Sequence, residues 1–73
     1  MVNQLAEMVV TNLSDDEFEA LCFLAGEDSA NYPGANLGER AKALITKMEG
    51  EGRLADFVST ARDIKPEVTW PNV

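Results

Sequence analysis

No lysine or arginine occurs before Arg40, and the chain has no histidine and a single cysteine. Each absence removes a class of chemistry. Without histidine, the commonest general base is missing. With Cys22 alone and no imidazole, zinc has no ligand set, and no internal disulfide can form. One thiol fits a reducing cytoplasm. Long apolar runs are also missing, so no segment reaches the roughly 20 residues that span a bilayer. Met1 to Val10 carries no base and no long apolar stretch, unlike a signal peptide. Aromatic residues make up only 7% of the chain, so Leu, Ile, Val, Ala and Met must fill most of any core.

Charge is plentiful and unevenly placed. Eight acids (Glu7, Asp15, Asp16, Glu17, Glu19, Glu27, Asp28, Glu39) precede the first base or adjoin it. All six bases (Arg40, Lys42, Lys47, Arg53, Arg62, Lys65) lie in the second half with five further acids. The net charge is −7 and the isoelectric point is near 4.3. Nucleic acid is therefore an unfavourable partner, because phosphate contacts need clustered bases. Unlike potentials on different surfaces suit association between macromolecules. At 73 residues the chain makes one small domain.

The apolar spacing predicts helices joined by short loops. Leu5, Met8, Val9 and Leu13 recur at helical steps, giving a first helix over about 3–12. Ser14 with Glu17 three residues later forms a capping box. Asp15, Asp16 and Glu17 then occupy the first turn, where the helix dipole favours acids. Leu13 and Phe18 are placed to act as a hydrophobic staple. Phe18, Leu21, Cys22 and Ala25 point inward, and Gly26 ends this second helix. Asp28 to Tyr32 reads as one short helical turn, and Pro33-Gly34 as a turn. A helix capped by Asn36 runs from Leu37 to about Glu49, burying Leu37, Ala41, Leu44, Ile45 and Met48. Arg53 to Asp63 forms another, with Leu54, Phe57, Val58 and Ala61 on one face. Pro66 breaks the pattern, and Val68 and Trp70 fold back as an apolar clasp. The expected fold is all-α, a compact bundle of five to six short helices, with residues 1–70 as one domain and 71–73 as a tail.

Two features mimic active sites. Cys22 lies among apolar neighbours with no histidine beside it, as expected of a buried small hydrophobe. Asp15, Asp16, Glu17 and Glu19 lack the alternating loop spacing of a calcium site and read as a solvated, dipole-favoured face. The chain is expected to be non-enzymatic and to need no cofactor or metal. Gly26-Glu27-Asp28-Ser29-Ala30 resembles the Gly-x-Asp-Ser-Leu segment of acyl carrier proteins. That alternative would place a phosphopantetheine on Ser29. It requires a long helix beginning at Ser29, which Pro33-Gly34 interrupts.

A wider resemblance covers Leu13 to Trp70. Leu13-Ser14-Asp15-Asp16-Glu17-Phe18-Glu19-Ala20-Leu21-Cys22-Phe23 resembles the opening of bacterial effector-associated domains. Tyr32-Pro33-Gly34 looks like the loop after their second helix. Arg40-Ala41-Lys42-Ala43-Leu44-Ile45, then Gly52-Arg53-Leu54-Ala55-Asp56-Phe57, then Pro66, resemble the family's Arg-x-x-x-Leu-Ile, Gly-Arg-Leu-x-x-Leu and closing Pro. The resemblance implies a death-like bundle. It implies an adaptor that joins an effector of protease, nuclease or TIR type to a sensor in bacterial conflict systems. The implied partner is a related domain on another chain, or a second copy, with no membrane and no small-molecule substrate. Docking of acidic on basic surfaces then assigns Asp15, Asp16 and Glu19 to one contact surface. Arg40, Lys42, Lys47 and Arg53 form the other.

Overall fold

Ser14 starts a helix as its sequence signature requires. In the computed structural model, which describes all 73 residues, the Ser14 side chain accepts from the Glu17 amide at 3.2 Å. The Glu17 carboxylate accepts from the Ser14 amide at 2.9 Å. Two otherwise unpaired donors are satisfied reciprocally. The capping hydrogen bonds from Ser14, with the nearby Lys65 ammonium, also hold the Glu17 carboxyl below its usual range.

Four α-helices follow one another: α1 (Val2–Asn12), α2 (Asp15–Leu24), α3 (Leu37–Gly50) and α4 (Leu54–Ile64). One three-residue 3₁₀ turn, Ser29–Asn31, lies between α2 and α3. There is no strand. The helix count is therefore four, not five to six, and the reasons are local. The Asp28–Tyr32 segment makes a single turn because Pro33-Gly34 stops it. Gly34 also passes so close to α3 that an added Cβ would lie 2.9 Å from the Glu39 Cβ. After Ile64, Pro66 breaks helical continuation and residues 65–73 form turns and extended chain.

α3 is the central element. It packs most extensively against α1 and also touches α2 and α4, while α2 meets α4 directly. The core is apolar throughout: Leu5, Val9, Phe18, Leu21, Cys22, Ala41, Leu44, Ile45, Met48, Phe57 and Ala61 are wholly buried, and no polar side chain joins them. The predicted inward residues fill it, with Met8, Leu37 and Leu54 half-buried at its margin. Burial raises the Cys22 thiol to about 11, so it remains protonated and inert. Trp70 does close the bundle. It is buried, and its indole N–H donates to the Lys65 carbonyl at 3.1 Å. The Arg62 guanidinium holds the following residues through the Asn72 side chain at 2.7 Å and the Pro71 carbonyl at 3.3 Å. No helix is long and apolar enough to cross a membrane.

Candidate interaction surface

α2 and α3 end in the same way. Past α2, Gly26 takes φ +77°, its amide donates to the Phe23 carbonyl at 3.1 Å, and the Glu27 amide reaches the Cys22 carbonyl at 2.8 Å. Past α3, the Gly52 amide reaches Glu49 at 3.0 Å and the Arg53 amide reaches Met48 at 2.7 Å. Both are Schellman ends, in which a glycine adopts the left-handed conformation and the next residue closes the last turn. The residue after each glycine is charged, with opposite signs: Glu27 and Arg53.

The two helix ends meet through this pair. Arg53 Nη1 lies 2.8 Å from Glu27 Oε2, and Arg53 Nη2 donates to the Ala25 carbonyl at 2.7 Å. Arg53 thus caps α2 from the start of α4. Lys47 Nζ donates to Glu27 Oε1 at 3.1 Å, and the Tyr32 hydroxyl donates to the same oxygen. Hydrogen bonds from Tyr32, then Arg53, then Lys47 pull the Glu27 carboxyl down to about 2. The Tyr32 phenol is pushed up by its burial and by that carboxylate. Lys47 is raised by its bonds to Tyr32 and Glu27, and its ammonium also sits 5.6 Å from the Tyr32 ring centre. Arg53 is raised chiefly by Glu27.

Arg40 completes the cradle from one side. Its Nε donates to the Tyr32 carbonyl at 3.0 Å, its Nη2 to the Ser29 carbonyl at 3.3 Å, and its guanidinium stacks 5.2 Å from the Phe18 ring centre. Three cations therefore hold residues 25–32 against α3 and the start of α4. The loop buries Tyr32, and the two guanidinium groups supply donors to its Ala25, Ser29 and Tyr32 carbonyls.

A pH dependence follows. Glu27 has its carboxyl depressed from an ordinary value of 4.5 to about 2. The stability it supplies is fully present above the ordinary value and is lost as pH falls through the depressed one. Wild type is expected to lose stability as pH falls from 4.5 to about 2. Glu27→Gln should start less stable at neutral pH and lose less over that window. Chemical denaturation across a pH series measures both curves.

The charged residues assigned to docking thus divide in two. Asp15, Asp16 and Glu19 are exposed on α2 and make no ion pair within the chain. Lys42 is exposed on α3 and is likewise free. Arg40, Lys47 and Arg53 come together, but around the 25–32 loop. Arg53 and Lys47 keep 33% and 47% of their side chains exposed, so part of each still faces solvent. Glu27 and Tyr32 had no place in the docking set, although the hub is built on them. The Gly-Glu and Gly-Arg pairs at 26–27 and 52–53 are the sequence signal that marks it. Ser29 opens only the three-residue turn, and the nearest following long helix begins at Leu37. The helix an acyl-carrier reading needs is absent.

The surface has one concavity, about 530 Å³, between α1 and the start of α3. It is a shallow trough lined by Asn3, Ala6, Glu7, Val10, Thr11 and Gly38. Its polar lining, Asn3, Glu7 and Thr11, comes from one face of α1, and its apolar lining is Ala6 and Val10.

Among protein families, the model of effector-associated domain 7 matches residues 4–66 of the chain. No curated protein and no solved structure matches it.

Proposed function

Since the chain belongs to the effector-associated domain 7 family, we propose that it is a non-enzymatic adaptor whose work is done by its surface. The family match across most of the chain carries this reading. The charged exterior, with Asp15, Asp16 and Glu19 exposed on α2, is in keeping with it. In this reading the domain recruits an effector of protease, nuclease or TIR type to a sensor in a bacterial conflict system. It works in the cytoplasm, through death-like contacts with a related domain.

The exposed acids Asp15, Asp16 and Glu19 form the principal docking face. Lys42 and the exposed parts of Lys47 and Arg53 form a smaller second face, and Arg40 supports it by fixing the loop. Single exposed ion pairs contribute about 0.2–1 kcal/mol each, so several must act together to choose a partner. Binding of the purified chain to related domains, followed by calorimetry at rising salt, tests this. Affinity should fall as the Debye length shrinks below about 8 Å. Salt-independent binding, or none to any related domain, would contradict the reading.

A further inference from the structure

α2 shows solvent more than acids. Its inward residues are Phe18, Leu21, Cys22 and Ala25, so Ala20, Phe23 and Leu24 fall on the other side. Phe23 is 80% exposed and Leu24 58%, the two most exposed large hydrophobics in the chain. Burying such side chains would stabilise the fold, which forgoes this. Consecutive residues sit roughly 100° apart around a helix, so Phe23 lies in line with the acids and Leu24 flanks it. Asp16, Glu19, Ala20 and Phe23 recur at steps of three and four, so they lie along one strip. Apolar side chains at the C-terminal end of the helix are thus continuous with carboxylates toward its N-terminal end.

The charge inventory selects the occupant. Of six bases, five are turned to acceptors within the chain: Arg40 to loop carbonyls, Lys47 and Arg53 to Glu27, Arg62 to the last residues, and Lys65 to Glu17 at 3.2 Å. Lys42 alone has no partner. A second copy could therefore offer the acidic strip little complementary charge, and two copies at −7 each repel.

Resting on the adaptor reading, we infer that the Phe23–Leu24 patch with Asp16 and Glu19 is the docking surface for a different chain. That partner presents an apolar pocket bordered by lysine and arginine. Phe23 enters the pocket as the anchor, and the acids orient the approach. An aromatic anchor in a desolvated pocket carries much of such an interface, while charges at the border set encounter rate and specificity.

The test uses the purified chain, its Phe23→Ser variant, and Val10→Ser as a control at an exposed apolar residue on α1. Sedimentation velocity reads self-association, and calorimetry reads binding to a panel of effector-associated domains encoded in the same genome. The chain alone should remain monomeric and should bind a domain of net positive charge. Phe23→Ser should weaken that binding by about thirtyfold or more, the range of an anchor residue, with Val10→Ser within about twofold. Circular dichroism should show both variants folded, since both positions are exposed. Binding that survives Phe23→Ser would overturn this inference and leave the adaptor reading standing. Self-association lost on Phe23→Ser would overturn the choice of a different chain. Failure to bind any related domain would overturn the adaptor reading and the inference with it.

Discussion

Leu44→Ala should unfold a large fraction of the molecules at room temperature. Leu44 is wholly buried on α3, the helix that touches all three others. Removing its branched end loses the transfer energy of those carbons and leaves a cavity that the neighbours fill only partly. Such changes cost about 2–5 kcal/mol. Small domains sit near the low end of the usual 5–15 kcal/mol, so the loss takes much of what the fold has. The core offers no compensating network, because it contains no polar side chain. Urea denaturation followed by helical circular dichroism should show the midpoint falling steeply. A midpoint within experimental scatter of wild type would mean that α3 does not organise the core.

Reversing Asp16 and Glu19 together to Lys should abolish binding to the related domain while leaving the melting transition close to that of wild type. Both side chains are exposed and neither forms an ion pair in the chain, so the fold does not depend on them. Like charges facing a basic partner across an interface cost several kcal/mol. The corresponding change on the basic side is a poorer experiment. Arg40→Glu or Lys47→Glu would disturb the loop these residues hold, since Arg40 bonds two carbonyls and Lys47 bonds Glu27. Lost binding there would mix docking with stability.

Helix boundaries were largely legible in the sequence because local chemistry sets them. The Ser14–Glu17 box, the Asn36 cap and the glycine at 26 each act within a few residues, and each is where the pattern places it. The core was legible for the same reason, since steps of three and four define a face. The helix count was overestimated because the Asp28–Tyr32 segment, expected as one short helical turn, was counted as an element, whereas it holds only the three-residue turn Ser29–Asn31. Pro33-Gly34 stops that turn, and Pro66 and Pro71 keep the last residues out of helix. The roles of the bases were harder to see. Whether Arg53 faces solvent or Glu27 depends on two helix ends meeting, 26 residues apart in the chain. No periodicity encodes that. The exposure of Phe23 was implicit in the register of α2, because a stripe at 18, 21, 22 and 25 leaves 23 outside.

In the proposed reading a related domain docks on the exposed face of α2. Amide chemical-shift changes in the isotope-labelled chain, titrated with an unlabelled effector-associated domain that binds it, test this most directly. Wild type should show its largest changes over Asp15 to Leu24, with Phe23 and Leu24 among them, and Asp16→Lys with Glu19→Lys should show none at the same concentrations. Changes centred on the trough between α1 and α3, with α2 silent, would contradict the account.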